Sequence, residues 1–255
     1  MLKEKVRVAA VSYLNTKPFL FGLRNSPLIS SVQLELQHPS MIAKQLLNHE
    51  IDLGLVPVAV IPRLREAHII SDFGICCDGE VSSVVICSQV PLNEAEKLFL
   101  DYQSRTSSAL AQLLLKDYWK VNPRIVQASP GYEKQVMGKY AGLFIGDRAL
   151  KLKERYDYCF DLGVAWKKFT GMPFVFACWI SNKKLDDDFL RSFNQALSNG
   201  VTHLDEVIAE QQLLYPDVDV RDYLSTKIQF VLNEEKKQAL KHFLQLIEKQ
   251  QVALS

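Results

Sequence analysis

A short polar loop near the middle of the chain carries residues well suited to binding a carboxylate. The sequence Ser104-Arg105-Thr106-Ser107 follows a short apolar run and leads into an apolar stretch with helical spacing. Arg105 can hold a carboxylate through two parallel hydrogen bonds, and the hydroxyls can complete its shell. The unpaired N–H groups and the dipole at the start of a helix favour an anion at the same place. The alternative is an ordinary helix N-cap with Arg105 on the surface.

Two further loops contain residues of the same kind. At Ile145-Gly146-Asp147 an apolar run ends and a helical stretch begins. Gly146 allows a ligand to approach the backbone closely, and Asp147 is either the N-cap of the helix or a residue of the site. Ser82 and Ser83 precede a strongly apolar run, where their hydroxyls either face a ligand or pair with the edge of a sheet.

A fourth polar loop, at residues 12–18, follows the first apolar run of the chain. It contains Ser12 and Asn15, and the Asn15 amide can both donate and accept hydrogen bonds. Pro18 suits the first turn of a helix, so simple capping also explains this loop. Both interpretations remain open at this stage.

Short apolar runs alternate with amphipathic stretches, which predicts an α/β protein with mostly parallel sheets. In open sheets of this kind, ligands bind beyond the carboxyl ends of the strands, and the polar loops lie at such positions. Strands are predicted at 6–11, 32–37, 51–56, 69–75, 81–88, 97–100, 124–128, 142–145 and 174–180. Helices are predicted at 16–24, 40–48, 106–119, 132–138, 186–214 and 234–250, with another starting at 148.

The length of 255 residues allows two small domains. We predict a discontinuous first lobe made of residues 1–88 plus 174–255, and a second lobe made of residues 89–173. The predicted strands at 81–88 and 174–180 would then be the two hinge crossings. No internal repeat or low-complexity linker is visible in the sequence.

Composition excludes several classes of function. Hydrophobic residues make up 48% of the chain, which is typical of a globular protein. Lys and Arg number 30 against 29 Asp and Glu, and a net charge of +1 does not favour nucleic acid or a membrane surface. The first apolar run, 6–11, is interrupted by Arg7 and is too short for a signal peptide or a membrane helix. We therefore expect a soluble cytoplasmic protein.

The sequence contains no pattern that predicts a metal or nucleotide site. The five Cys residues form no CxxC pair and lie mostly in apolar runs, so buried free thiols are predicted. The five His residues lack the spacing of metal ligands. The phosphate-loop, dinucleotide-binding and serine-hydrolase motifs are also absent. We expect no metal and no cofactor.

Six segments, in order along almost the whole chain, resemble those of one known family. They are SYLNTKP at 12–18, DLGLVPVAV at 52–60, SDFGI at 71–75, SRTS at 104–107, AGLFIGDRAL at 141–150 and TGMPFVFACW at 170–179. Together these segments are similar to the chorismate dehydratases of the futalosine route to menaquinone. Six motifs at consistent separations are far more specific than any one of them.

The resemblance implies a two-lobed type 2 periplasmic-binding-protein-like fold, with two α/β domains, two hinge crossings and a ligand cleft between the domains. It implies a carbon–oxygen lyase that converts chorismate to 3-[(1-carboxyvinyl)oxy]benzoate and water without a cofactor. Chorismate has two carboxylates, which suits the cluster at residues 104–107. The predicted substrate-binding residues are Ser12, Asn15, Ser82, Ser83, Ser104, Arg105, Thr106, Ser107, Ile145 and Gly146.

Two groups are candidates for the catalytic step. Loss of the C4 hydroxyl and the C3 hydrogen makes the ring of chorismate aromatic, so the enzyme must mainly orient the substrate and exclude water. Asp147 is the one carboxylate placed late in a strand-to-helix turn of the polar loops. A second hypothesis is that the enolpyruvyl carboxylate of the substrate takes the proton, while Asn15 orients it or stabilises developing charge.

Other functions are compatible with the same fold. A receptor that binds a small carboxylate without transforming it is disfavoured, because no export signal or lipid-anchor cysteine is found near the start. The dihydroxynaphthoate synthase of the same pathway fits the SYLN and TGMPFVFACW segments less well. A regulatory ligand-sensing domain lacks an attached DNA-binding module. The sequence leaves the oligomeric state open.

Overall fold

The computed structural model describes residues 5–252 of the chain, with side chains described for residues 5–249. Within this part, the chain divides into two compact units. Unit 1 comprises the described residues up to Cys76 together with Val175–Glu234. Unit 2 comprises Cys77–Phe174 together with the described residues from Glu235 onwards.

The described part of the chain contains eleven strands and nine α-helices, besides short 3-10 and π segments. The strands are β1 (Val6–Val11), β2 (Val32–Gln37), β3 (Leu53–Pro57), β4 (His68–Cys77), β5 (Val84–Ser88), β6 (Lys97–Leu100), β7 (Arg124–Gln127), β8 (Tyr140–Ile145), β9 (Tyr158–Asp161), β10 (Phe174–Ser181) and β11 (Gln229–Val231). The helices are α1 (Lys17–Arg24), α2 (Pro39–Leu47), α3 (Arg105–Leu114), α4 (Gly146–Leu152), α5 (Leu162–Thr170), α6 (Asp187–Thr202), α7 (Leu204–Gln212), α8 (Val220–Asp222) and α9 (Glu234–Val252).

In unit 1, the described residues form a six-stranded sheet in the order β11-β4-β10-β3-β1-β2. Strand β1 is parallel to both of its neighbours, β2 and β3. Strand β3 pairs with β10 in the antiparallel direction. The loop that follows β1 at residues 12–16 therefore leaves the sheet at its carboxyl edge, as the sequence predicts.

Two glycines allow α1 and α6 to pack closely. A Cβ on Gly22 would lie 1.9 Å from the carbonyl oxygen of Ala196, and a Cβ on Gly200 would lie 1.8 Å from that of Pro18. Because real Cβ contacts are never this short, only glycine fits at either position. The contact fixes the first turn of α1, and with it the polar loop that precedes this helix.

In unit 2, the described residues form a five-stranded sheet in the order β7-β6-β8-β5-β9. Strand β6 is parallel to β7 and β8, whereas β5 is antiparallel to β8 and β9. The ends of β6, β8 and β9 and the start of β5 therefore lie at one edge of the sheet. We call this the loop edge, and it carries residues 81–83, 101–104, 145–147 and 161.

The C-terminal helix α9 packs on unit 2 through aromatic residues. The ring of Phe243 lies 5.8 Å from that of Trp166 and 4.9 Å from that of Phe174, measured between centroids. The sequence prediction groups residues 174–255 with the first lobe, whereas these contacts group α9 with Cys77–Phe174. The lobe limits at 88, 89 and 173 stay a prediction.

Several predicted elements are confirmed, and three are corrected. The strands at 6–11, 32–37 and 97–100 have the predicted bounds. The single helix predicted at 186–214 is two helices, α6 and α7, with His203 between them. The helix predicted at 132–138 is only a 3-10 turn at Tyr132–Gln135, because Val136 has a ψ of 86°, which is not helical. The strand predicted at 81–88 begins at Val84, because Ser82 has a φ of 59°.

The cysteine prediction is confirmed for three residues and wrong for two. Cys76, Cys77 and Cys178 are buried free thiols. Cys87 and Cys159 form a disulfide instead. They lie directly opposite each other in the antiparallel pairing of β5 with β9, with Cα atoms 4.2 Å apart. A separation of 72 residues in the sequence gives no sign of this pairing.

Within the residues described, no helix combines the length and the apolar character that crossing a membrane demands.

Candidate functional site

The loop from β6 to α3 holds a compact cluster of hydroxyls. Ser104 is the N-cap of α3, and its Oγ accepts a hydrogen bond of 3.1 Å from the backbone N–H of Ser107. The Oγ atoms of Ser104 and Ser107 are also 2.9 Å apart. Ser104, Thr106 and Ser107 are buried, while Arg105 is exposed. The structure thus brings these four predicted residues together at the loop edge, at the start of a ten-residue helix.

The Arg105 side chain forms no ion pair with any described residue, whereas Arg148 is paired with Asp101. Arg105 starts α3, where the helix dipole adds a partial positive charge. A carboxylate bound at this end of the helix would therefore meet the guanidinium, the backbone N–H groups and the hydroxyl of Ser107.

A buried carboxylate, Asp101, holds this loop in place, and no local sequence pattern indicates this role. Its Oδ2 accepts hydrogen bonds of 2.9 Å from both the Arg148 guanidinium and the Tyr132 hydroxyl. Its Oδ1 accepts a bond of 2.8 Å from the backbone N–H of Gln103. Burial raises the pKa of the Asp101 carboxyl, although the Arg148 charge and the hydrogen bonds oppose this effect.

The Arg148 guanidinium is held by several groups besides Asp101. It lies 5.3 Å from the ring centroids of Tyr102 and Tyr132, and it donates a bond of 3.3 Å to the side-chain oxygen of Gln103. The single hydroxyl hydrogen of Tyr132 is shared between Asp101 and the carbonyl of Leu143 in β8. Burial raises the pKa of the Tyr132 hydroxyl, and the Asp101 charge raises it further. The network joins the ends of β6 and β8 to the loop that leads into α3.

The second predicted loop begins α4 at Gly146. Gly146 has a φ of 58°, which favours glycine, and its N–H donates a bond of 2.8 Å to the carbonyl of Ser83. Ile145 pairs with Val84 across β8 and β5. The structure therefore brings Ser83, Ile145 and Gly146 together at the loop edge. Asp147 lies in the first turn of α4 and is not its N-cap, which is Ile145, so the capping alternative is wrong.

Ser82 lies in a tight turn that a carboxylate supports. The backbone N–H of Ser82 donates a bond of 2.7 Å to Oδ2 of Asp161, and that of Val81 lies 3.2 Å from both oxygens. The Ser82 hydroxyl donates a hydrogen bond of 2.6 Å to the Glu80 carboxylate and accepts one of 3.3 Å from Lys153 Nζ. Burial raises the pKa of the Asp161 carboxyl, and the backbone N–H groups oppose this effect.

Ser12 and Asn15 lie in unit 1, in the loop between β1 and α1. Ser12 is exposed, and Asn15 is half-buried in a 3-10 turn at Leu14–Thr16. The Thr16 hydroxyl donates a bond of 3.3 Å to the side-chain oxygen of Asn15. This bond orients the amide so that its nitrogen remains a donor.

The described residues contain no group of three or more His, Cys, Asp and Glu side chains arranged to hold a metal ion. The loop edge also carries carboxylates, but those of Asp101 and Asp161 are already bound by a guanidinium, a phenol hydroxyl and backbone N–H groups. The other polar groups here include hydroxyls, backbone N–H groups and the guanidinium of Arg105. Such groups suit an anionic organic ligand better than a cation.

The fold matches those of solved structures. Protein AF1704 from Archaeoglobus fulgidus matches with a TM-score of 0.81 and 14% identity, covering 99% of this chain and 100% of that one. The Candida albicans CA3427 gene product, described as having the generic periplasmic binding protein structural fold, matches with a TM-score of 0.60 and 11% identity, covering 96% and 90%. The chain therefore has a periplasmic-binding-protein-like α/β fold, and the predicted fold class is confirmed.

The family follows from the sequence itself. A family model described as menaquinone biosynthesis matches residues 6–249, and the chain belongs to that family. The chorismate dehydratase of Campylobacter jejuni is 29% identical over 243 residues, which cover 92% of this chain and 94% of that protein. The chorismate dehydratase of Thermus thermophilus is 28% identical over 221 residues, which cover 75% and 80%. The resemblance noted from six segments is confirmed.

Proposed function

We propose that this protein is a chorismate dehydratase, a hydro-lyase that converts chorismate to 3-[(1-carboxyvinyl)oxy]benzoate and water. The observation that carries the proposal is the match with two chorismate dehydratases over most of the chain, within a family of menaquinone biosynthesis. The hydroxyl cluster at the start of α3 supports it, because it suits a carboxylate. A biosynthetic role also supports a cytoplasmic location.

One carboxylate of chorismate binds at residues 104–107 in this proposal. Arg105 supplies a cation that is free of other ion pairs among the described residues, and Ser107 supplies a hydroxyl. Hydrogen bonds between charged groups are stronger than those between neutral ones. Thr106 and Ser104 line the same turn. Ser12, Ser83, Ile145 and Gly146 remain proposed substrate contacts.

The side chain of Ser82 is a weak candidate for direct contact with the substrate. Its one hydroxyl hydrogen is donated to Glu80, and its oxygen accepts from Lys153. A ligand at the Ser82 side chain would have to replace one of these bonds. The backbone of Ser82 and Ser83 is the part of this segment that the proposal uses.

The reaction itself is redox-neutral. The C3–H bond breaks, and its electron pair forms the new ring double bond. The C4–O bond breaks, and the departing hydroxide takes up the proton that C3 lost and leaves as water. We propose that the enolpyruvyl carboxylate of the substrate accepts the C3 proton and that Asn15 orients this carboxylate. Asn15 can do so because its amide nitrogen donates and its oxygen is already paired with Thr16. Most of the driving force comes from aromatisation, so positioning is the main task of the protein.

Replacing Arg105 by alanine is expected to raise the KM for chorismate roughly 10- to 100-fold, because a charge-assisted bond to a carboxylate is lost. Thr106→Val is expected to have a smaller effect of the same kind. Steady-state kinetics on folded variants provides the measurement.

The matched control for this prediction is Arg124→Ala. Arg124 is also an exposed arginine of unit 2, but it begins β7 and so lies at the opposite edge of the sheet. Its replacement is expected to leave the KM unchanged. An unchanged KM in both Arg105→Ala and Thr106→Val would contradict the assignment of the carboxylate site.

The experiment that tests the function mixes purified protein with chorismate and follows aromatic absorbance while tryptophan fluorescence reports binding. An initial rate proportional to protein concentration supports the dehydratase. Saturable binding without any absorbance change would instead indicate a receptor for small carboxylates.

A further inference from the structure

The segment Val81-Ser82-Ser83 forms a strained three-residue turn. The backbone N–H of Ser83 donates a bond of 2.7 Å to the carbonyl of Val81, and Ser82 between them has a φ of 59°. A turn closed in this way at positive φ is rare, and a non-glycine residue in it costs free energy. Such a conformation persists only where the surrounding structure enforces it.

Asp161 is the group that enforces this conformation. One oxygen, Oδ2, accepts the N–H of Ser82 at 2.7 Å, and the carboxylate also accepts the N–H of Val81 at 3.2 Å. The other oxygen accepts the N–H of Val164 at 3.0 Å, so Asp161 is also the N-cap of α5. A single buried carboxylate thus joins the turn, the end of β9 and the start of a helix.

Close packing beside Asp161 supports the same turn. A Cβ on Gly163 would lie 2.2 Å from the carbonyl oxygen of Gly79, so the start of α5 touches the backbone just before the turn. Lys167 of the same helix forms a 2.6 Å ion pair with Asp78. Helix α5 therefore holds the segment at several points, and Asp161 is the point nearest to Ser82 and Ser83.

The turn is connected to the rest of the loop edge through Ser83. The Ser83 carbonyl accepts the N–H of Gly146, and the next residue, Val84, pairs with Ile145. Any change in the turn would move these contacts as well. We propose that Asp161 is a positioning residue for substrate binding, which fixes the backbone of residues 81–83 so that Ser83 and Gly146 keep their places. This inference rests on the proposed function.

Asp161→Asn separates this role from helix capping. Asparagine is as good an N-cap as aspartate, so the start of α5 is maintained. When the amide oxygen keeps the cap bond to Val164, its NH2 takes the place of Oδ2 and stands against the N–H of Ser82. We expect the KM for chorismate to rise about tenfold, with kcat within about threefold of the wild type.

The matched control is Asp186→Asn. Asp186 caps α6 in unit 1 by accepting the N–H groups of Asp188 and Phe189, and both bonds stay within its own helix. Asp186→Asn makes the same chemical change, but the Asp186 side chain binds no described segment outside α6. We expect its KM to equal that of the wild type.

Hydrogen exchange at the amides of Val81 and Ser82 gives a second readout that does not depend on turnover. We expect both amides to exchange about tenfold faster in Asp161→Asn and at the wild-type rate in Asp186→Asn. If Asp161→Asn does not fold, Asp161→Ser replaces it, because serine still caps the helix but is too short to reach Ser82.

The outcomes separate this inference from the function on which it rests. A raised KM together with faster exchange supports the inference. An unchanged KM in a folded variant of an active enzyme, or unchanged exchange at Val81 and Ser82, would overturn it. A wild type that does not turn over chorismate contradicts the proposed function, while the exchange rates still decide whether Asp161 holds the turn.

Discussion

Replacing Asn15 by alanine is expected to lower kcat for chorismate dehydration by about 100- to 1000-fold, the effect typical of losing one donor that stabilises developing charge. Its amide oxygen is bound by the Thr16 hydroxyl, so the amide nitrogen is held as a donor. The measurement is the steady-state rate at saturating chorismate.

Asn25→Ala provides the matched control for Asn15. Asn25 lies at the other end of α1 and is exposed, and among the described residues its side chain donates only to the carbonyl of Phe21. This variant is expected to retain the wild-type kcat. A similar loss in both variants would show that Asn15 acts through the stability of α1 and not through the reaction.

Asp147→Asn distinguishes the two hypotheses about the base. If the substrate carboxylate takes the proton, this variant keeps kcat within about tenfold of the wild type, since no general base is lost. A loss of about 100-fold or more in a variant that folds and binds chorismate would contradict substrate-assisted deprotonation.

Replacing Arg148 by methionine is expected to lower the free energy of unfolding by about 3 kcal/mol at pH 7. The side chain of Asp101 is fully buried, whereas that of Arg148 is 20% exposed. The expected loss of stability is therefore at the lower end of the roughly 3–5 kcal/mol typical of breaking a buried ion pair. Methionine fills part of the same space but leaves the Asp101 charge without its cation. Urea titrations of both proteins measure the difference.

This loss is expected to shrink as the pH falls. Burial raises the pKa of Asp101 in the native protein, and removal of the opposing Arg148 charge raises it further. In the unfolded chain the carboxyl titrates near pH 3.9, so between about pH 4 and its folded pKa only the unfolded state ionises. Stability of the variant is therefore lost as the pH rises from about 4, and titrations at pH 4 and pH 7 should differ.

Arg191→Met is the control for this prediction. Arg191 also pairs with an aspartate, Asp188, but the two side chains are 71% and 83% exposed. Exposed pairs contribute about 0–1 kcal/mol, so a small change is expected. Equal losses in Arg148→Met and Arg191→Met would show that the Asp101 network does not support unit 2.

The polar loops could be predicted from the sequence because their signals are local. Ser104 precedes an apolar helical stretch, and hydroxyl residues in that position cap helices. The start of α4 at Gly146 follows an apolar strand in the same way. Alternating strands and helices then place these loops at carboxyl ends, where ligands bind.

The residues that support these loops could not be predicted because their contacts are distant in sequence. Asp101 binds Arg148, which is 47 residues away in the sequence, and this contact requires β6 and β8 to be neighbours in the sheet. Asp161 binds the backbone of Val81, which is 80 residues away in the sequence, and this contact requires β9 to pair with β5. The Cys87–Cys159 disulfide depends on the same pairing. A composition or a local motif contains no information about strand order.

The most direct test of the proposed reaction uses chorismate with a heavy oxygen isotope in its C4 hydroxyl. The purified protein is incubated with it, and the product is analysed by mass spectrometry. We expect an aromatic product that retains the enolpyruvyl group and has lost the labelled oxygen as water. A product that retains the label, release of pyruvate, or unchanged chorismate after prolonged incubation would contradict the assignment as a chorismate dehydratase.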